Sequence, residues 1–124
     1  MQAEAAAVEC WGEFNTLREV NSAIEYGGYT QCRNPHDLYL KIDLQKRNKS
    51  TGAWGKVFSA TNVRFGWIVN VFRDVSCSGS TSQKYRMKAF PTMDGVAMVN
   101  YGDVSDVKEL SCNIAFLSGD RQAQ

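Results

Sequence analysis

Apolar and polar side chains alternate along several short stretches of this chain, with the two-residue period that is typical of half-buried β-strands. The clearest stretch is Leu38–Gln45, in which the even positions are apolar and the odd positions are mostly polar. A second alternating run carries Phe65, Trp67, Val69 and Val71, and we expect these side chains to face the core. Further strands are predicted at Val8–Phe14, Ile24–Cys32, Trp54–Phe58, Tyr85–Phe90, Val96–Tyr101 and Leu110–Phe116.

Turn-forming residues separate these runs. Arg33–Asp37 and Lys46–Gly52 predict a turn and a hairpin loop, and Asp94-Gly95 is typical of a tight two-residue turn. Asn62 starts another turn, so 64–77 forms either one long bent strand or two pieces. Pro91 is expected to end its strand, because proline lacks the backbone N–H that a ladder needs.

About eight short strands, with turn residues every 8–12 positions and no helix of useful length, predict an all-β fold. We expect an immunoglobulin-like antiparallel β-sandwich of two sheets. The 124 residues suit one domain over 8–117, with a flexible N-terminal segment over 1–7 and a polar C-terminal tail over 118–124.

The charge of the chain excludes some partners. Its net charge is +1, with acidic and basic residues mixed along the sequence, whereas electrostatic binding to nucleic acid needs a sustained positive field. No apolar run approaches the roughly 18 residues of a membrane span. We therefore expect no nucleic-acid partner and no membrane insertion.

Four cysteines without a C-x-x-C pair, in a chain with one histidine, favour two disulfides and a secreted protein. Four cysteines allow three pairings. We favour Cys32 with Cys77 across two sheets and Cys10 with Cys112 between the first and last strands. The alternative, Cys10 with Cys32 and Cys77 with Cys112, would staple two local units.

The order of several short motifs resembles a group of known proteins. These motifs are Leu44-Gln45-Lys46-Arg47, a polar turn, Trp54 followed by Val57, Val75-Ser76-Cys77, Tyr85-Arg86 and the closing Cys112. The chain is in this respect similar to small secreted proteins of Gram-positive bacteria, actinomycetes and bacilli. The resemblance covers about Cys32 to Cys112 and implies an immunoglobulin-like sandwich and export; the functions of these proteins are mostly undefined.

Candidate catalytic groups are few. His36 stands beside Asp37, but neighbouring residues of an extended chain point to opposite sides, so we interpret His36 as a solvated turn residue. Glu9 and Glu13 are about 13 Å apart on one strand, too far for a retaining glycosidase pair. Asp103 and Asp106 lack the run of oxygen ligands of a calcium loop. We expect no enzyme, no metal and no cofactor.

Binding is the more plausible class of function. Lys46, Arg47, Lys49 and Trp54 place positive charge near an aromatic ring at the hairpin tip, which could dock an acidic partner or a carbohydrate. The interpretation that we favour is that the basic residues protect a strand edge and that Trp54 belongs to the core. A second set of aromatic residues falls on the expected outward faces and could form a partner-binding patch or be covered by loops. These residues are Trp11, Tyr29, Tyr39 and Phe90.

The sequence therefore predicts a secreted, non-catalytic protein-interaction module, such as a small subunit of an extracellular bacterial assembly. It would bind another extracellular protein through its outward aromatic residues or by strand addition at an open edge. An inhibitor of a secreted hydrolase, presenting Lys46–Gly52 or Ser78–Lys84, is the alternative, and a carbohydrate ligand is possible. Asn48-Lys49-Ser50 matches the N-glycosylation pattern, which matters only in a eukaryotic source.

Overall fold

The computed structural model describes residues 9–98 and 104–117, and this part of the chain is all-β, without a helix. The described residues accordingly contain no helix that could cross a membrane. The predicted segments 1–7 and 118–124, and the end of the predicted strand Val96–Tyr101, lie outside the described residues. Seven strands form one antiparallel sheet: β1 Cys10–Phe14, β2 Arg18–Val20, β3 Ala23–Arg47, β4 Trp54–Ser76, β5 Gly79–Met93, β6 Val96–Ala97 and β7 Lys108–Asn113.

Two strands, β3 and β4, are far longer than the sequence predicts. They pair with each other from Ala23↔Ser76 to Arg47↔Trp54, and the register shifts between Gln31 and His36. The predicted turn Arg33–Asp37 is therefore wrong: it is an irregular stretch inside β3. Asn62 likewise starts no turn, and Pro91 does not end β5, which continues to Met93.

The register shift divides the sheet into two layers. Layer 1 consists of β1, β2, 23–31 of β3 and 68–76 of β4; layer 2 consists of 36–47 of β3, 54–66 of β4, β5, β6 and β7. The layers face each other, because the Tyr26 hydroxyl of layer 1 donates to the Ile42 carbonyl of layer 2 at 3.0 Å. One continuous bent sheet thus takes the place of the two separate sheets that the sequence predicts.

The core lies between the two layers and follows the predicted alternation of β3. Its largest fully buried side chains are Ile24, Tyr26, Leu38, Leu40, Ile42, Leu44, Val69, Val71, Tyr85 and Met87. Asn62 donates from its side-chain amide to the Asn70 carbonyl at 2.8 Å. Eight residues of straight strand span about 26 Å, so this bond shows how sharply β4 bends where it passes between the layers.

Close backbone packing explains one of the paired glycines. A Cβ at Gly27 would lie 2.0 Å from the Val71 carbonyl oxygen, so only glycine fits there. The predicted Asp94-Gly95 turn is confirmed: both residues have positive φ and join β5 to β6.

The sequence correctly predicts two disulfides, but the favoured pairing is wrong. The bonds join Cys10 to Cys32 and Cys77 to Cys112. Cys10 lies opposite Cys32 in the β1–β3 ladder, with 4.0 Å between Cα atoms. Cys32 follows Gln31, which lies opposite Ile68 in the β3–β4 ladder. Cys77 follows Ser76, which lies about eight positions farther along β4 than Ile68. At about 3.3 Å per residue, Cys32 and Cys77 are too far apart to bond.

Candidate binding face

The outward side of layer 2 is set by the register of its strands. Residues opposite each other in an antiparallel ladder project to the same side. Because Leu38, Leu40, Ile42 and Leu44 face the core, their odd-numbered neighbours face outward with their partners on β4 and β5. We call this outward surface of layer 2 face 2.

Face 2 is rich in positive charge. The ladders of β3, β4 and β5 place six cations on it: Lys41, Arg47, Lys56, Lys84, Arg86 and Lys88. Three carboxylates share the face. Asp43 is only 3% exposed and accepts a hydrogen bond from the Ser59 hydroxyl; Glu109 lies on β7 and Asp37 at the opposite end.

Aromatic rings lie among these cations. The Lys41 and Lys88 ammonium groups stand 4.5 and 5.5 Å from the centre of the Phe90 ring. The Arg86 guanidinium stands 4.4 Å from the Trp54 ring and donates to the Gln45 side chain at 2.7 Å. Each such cation–π contact contributes about 0.5–1 kcal/mol, so the contacts favour these positions of the cations on the face.

The other end of face 2 is apolar. Val63 and Phe65 are 68% and 70% exposed, and Val63 lies opposite the half-buried Tyr39. The prediction that Phe65 and Trp67 face the core is wrong, although Val69 and Val71 are buried as predicted. The register shift between Gly66 and Ile68 reverses which side faces the core, so Phe65 and Val69 point to opposite sides despite their even separation.

Two shallow grooves cross face 2. One, of about 360 Å³, is lined by Tyr39, Lys41, Phe90 and Met98 among others. The second, of about 270 Å³, lies at the basic end between Arg47, Lys49, Lys84 and Glu109. The face can therefore accept side chains of a partner at both its apolar and its basic end.

The four predicted outward aromatic residues do not form one patch. Tyr39 and Phe90 lie in neighbouring rows of face 2, whereas Trp11 and Tyr29 lie on the outward side of layer 1, which we call face 1. The two faces point away from each other because the layers pack core to core. On face 1 the Tyr29 hydroxyl donates to the Glu13 carboxylate at 3.1 Å.

Lys46 does not belong to the exposed basic tip that the sequence predicts. Lys46 is 7% exposed and points to the core side, where its ammonium donates to Asn113 Oδ1 and to the Ile114 carbonyl at 2.8 and 2.7 Å. Burial, and then the charge of Lys49, lowers the pKa of Lys46. Arg47 and Lys49 are exposed as predicted, and Trp54 is half-buried beneath Arg86.

Of the two loops suggested for an inhibitor, Lys46–Gly52 forms the predicted hairpin connection from β3 to β4, although its first two residues belong to β3, whereas Ser78–Lys84 is not a loop. Most of Ser78–Lys84 belongs to β5 and pairs with β7. The tip that connects β3 to β4 is short and closed: the Asn48 side-chain oxygen accepts hydrogen bonds from the Ser50 and Thr51 N–H groups.

Sequence reasoning missed the contacts of His36. Its ring nitrogens lie 2.8 Å from Asp94 Oδ2 and 2.9 Å from Glu9 Oε2, and its neighbour Asp37 is not its partner. These hydrogen bonds, first from Glu9 and then from Asp94, raise the pKa of His36. His36 is thus a clamp between β1 and the β5–β6 turn and not a solvated turn residue. No local pattern could reveal partners 27 and 58 positions away.

Within 9–98 and 104–117 no group of three or more histidine, cysteine or acidic residues could hold a metal ion, and Asp103 lies outside these ranges. Comparisons with protein-family models, with curated proteins and with solved structures found no match to this chain.

Proposed function

We propose that this protein is a secreted, non-catalytic interaction module that binds another extracellular protein through face 2. The observation that carries the proposal is the exposed apolar cluster of Val63 and Phe65 beside Tyr39 and Phe90, bordered by cations. Protein interfaces combine an apolar, aromatic centre with a polar rim in this way. On a protein without such a partner, an exposed cluster of large apolar side chains favours aggregation.

Packing of the face against a partner is favoured over strand addition at the β4 edge. Among the described residues β3 is the only strand that pairs with β4, and at its outer edge the Lys56 carbonyl already accepts a hydrogen bond from the Leu117 N–H at 2.8 Å. Several other backbone groups of β4 bond to its own side chains. Asn62 Oδ1 accepts from the Val63 N–H, and the Arg73 guanidinium donates to the Phe72 carbonyl. An added strand would have to displace these contacts.

Fold and location enter the same proposal. We interpret the two layers as a variant of the immunoglobulin-like sandwich in which β3 and β4 run through both layers. Two disulfides support export, because such bonds persist mainly in oxidising compartments. In this proposal the partner is a component of an extracellular bacterial assembly.

The test is affinity capture from the secreted proteins of the source organism, with matched variants. Val63→Ser/Phe65→Ser removes the apolar cluster of face 2, and Phe72→Ser removes an exposed phenylalanine of face 1 as the control. We expect one protein to be retained in stoichiometric amount by the wild type and by Phe72→Ser, and to be lost with the double variant. Equal retention by all three proteins, or no stoichiometric partner for the wild type, would overturn the proposal.

A further inference from the structure

The fold separates charges that are mixed along the sequence. Of the fourteen basic and thirteen acidic residues, face 2 carries six basic and three acidic ones. The remaining sequence therefore has eight basic and ten acidic residues, although the whole chain has a net charge of only +1. Face 1 shows the opposite balance, because Glu13, Glu25 and Asp74 share it with Arg18.

The three carboxylates of face 2 lower its positive field but are outnumbered by the cations. Asp43 lies in the middle, where it accepts a hydrogen bond from the Ser59 hydroxyl and stands opposite Lys88 in the ladder. Glu109 stands on the border strand β7 and accepts a hydrogen bond from the Ser82 hydroxyl at 2.7 Å. Asp37 lies at the apolar end, opposite Phe65. Between Lys41 and Arg47 the charged side chains of the three central strands, apart from the buried Asp43, are all cationic.

A second copy of this chain does not fit the face. A two-fold interface brings the residues nearest its axis against their own copies. Lys41 and Lys88 lie in the two middle rows of face 2, since Lys41 pairs with Phe90 and Asp43 pairs with Lys88. Self-association through this face would therefore bring like charges together at its centre, which is destabilising.

We propose that the partner segment bound by face 2 is an acidic stretch of protein that carries carboxylates beside apolar side chains. This inference rests on the proposed function and names the chemistry of the partner. The apolar side chains of the bound segment pack on Val63, Phe65 and Tyr39. Its carboxylates contact Lys41, Lys88 and the groove beside Arg47. The gradient from apolar to basic fixes the direction in which the segment lies along β3.

A protein segment fits the face better than a nucleic acid or an anionic polysaccharide does. Binding of a phosphate backbone rests on neutralising a continuous row of phosphates with cations. Here the cations extend from the middle of the face to one end, and the other end presents Val63 and Phe65 together with the carboxylate of Asp37. Carboxylates confined to one side of an apolar cluster match this arrangement, since complementary charge at the rim sets orientation and specificity.

The test is fluorescence anisotropy with a labelled, extended peptide of twelve residues. One half alternates Leu with Thr and the other half alternates Glu with Thr; the control peptide has Gln in place of Glu. We expect the acidic peptide to bind about tenfold more tightly than the neutral one at low salt, since three exposed ion pairs together supply about that factor. The difference should shrink as salt is added.

Protein variants separate this inference from the proposed function. Lys41→Gln/Lys88→Gln should weaken binding of the acidic peptide about fivefold and leave binding of the neutral peptide unaffected. The control Arg18→Gln/Arg33→Gln should change neither, because Arg18 pairs with Glu25 on face 1 and the Arg33 N–H donates to the Glu9 carbonyl next to β1. Val63→Ser/Phe65→Ser should weaken both peptides. Equal affinity for both peptides, or no binding of the acidic peptide, would overturn the acidic partner; if both peptides still depended on Phe65, face 2 would remain a protein-binding surface. Tighter binding of single-stranded thymidine dodecamer or of heparin would overturn it in favour of a polyanion.

Discussion

The two outer faces of the bent sheet are built from the same two strands but differ in chemistry. On face 1 the aromatic Tyr29 is tied to the acidic Glu13, and Arg18 is paired with Glu25 at 2.8 Å. On face 2 the aromatic rings lie beneath lysine and arginine, and the apolar side chains of Val63 and Phe65 are open to solvent. Both faces thus expose a phenylalanine, Phe72 on face 1 and Phe65 on face 2. They differ in charge, because face 1 pairs Tyr29 and Arg18 with carboxylates, whereas face 2 presents cations beside its apolar side chains.

The comparison shows how a chain of low net charge can present a charged surface. Alternation in a strand sends neighbouring residues to opposite sides, so each strand can place its cations on one side only. Pairing of β3 with β4 and β5 then brings those cations together. The difference between the faces holds only while the two layers stay in register and packed together.

The largest expected effect comes from removing the link between the layers. Cys77 follows the last layer 1 segment of β4, and Cys112 lies on β7 in layer 2, with a separation of 35 residues. Cys77→Ala/Cys112→Ala should lower the free energy of unfolding by about 4 kcal/mol, on the chain-entropy account of disulfides. Urea denaturation checks this value. The matched variant Cys10→Ala/Cys32→Ala, within layer 1, should lose about 3 kcal/mol; a loss below about 1 kcal/mol for the first variant would show that the core alone holds the layers.

A smaller effect is expected for the hydrogen bond between the layers. Tyr26→Phe removes the hydroxyl that donates to the Ile42 carbonyl, a bond that is buried. We expect a loss of about 1 kcal/mol in the free energy of unfolding, because that is the typical net contribution of one intramolecular hydrogen bond. Tyr29→Phe is the control on face 1, where the bond to Glu13 is exposed; it should change stability by less than about 0.5 kcal/mol. Equal losses for both variants would contradict the assignment of Tyr26 to the interior between the layers.

Much of this fold could be predicted from the sequence, but its register could not. The alternation over Leu38–Gln45 correctly predicts the central strand and its buried side. The shift opposite 32–35 has no local sequence pattern, because four residues of β3 lie against one residue of β4. Because of that shift, Phe65 faces outward and not toward the core, and Cys32 lies too far from Cys77 to form the disulfide that we favoured. Of the candidate site, Tyr39, Phe90, Arg47 and Trp54 were predicted, whereas the cations of β5 join them only through pairing that the sequence does not show.

The smallest expected effect concerns the clamp in which His36 contacts the carboxylates of Glu9 and Asp94. The pKa of His36 is raised above its usual 6.5, first by Glu9, so the stability that its charge contributes is complete below pH 6.5 and is lost as the pH rises through the raised value. The pKa of Glu9 is lowered below its usual 4.5, first by His36, so its contribution is complete above pH 4.5 and is lost as the pH falls through the lowered value. Asp94 behaves as Glu9 does, since the Asp37 N–H and then His36 lower its pKa.

The clamp should therefore stabilise the protein most between about pH 4.5 and 6.5. The difference in unfolding free energy between the wild type and His36→Gln, measured across the pH range, should be largest in this window and decrease on both sides. Glu19→Gln, at an exposed position of β2, serves as a control for a general change of charge. A difference that does not vary with pH would show that His36 acts by packing and not by its charge.

The account depends most on the claim that the two outer faces differ in what they bind, and amide chemical shifts test it directly. The protein is labelled with nitrogen-15 and titrated with the Leu- and Glu-containing peptide of twelve residues. We predict shifts at Lys41, Val63 and Phe90, and none at Glu13, Tyr29 and Phe72. Shifts confined to the second set, or spread equally over both sets, would contradict the claim.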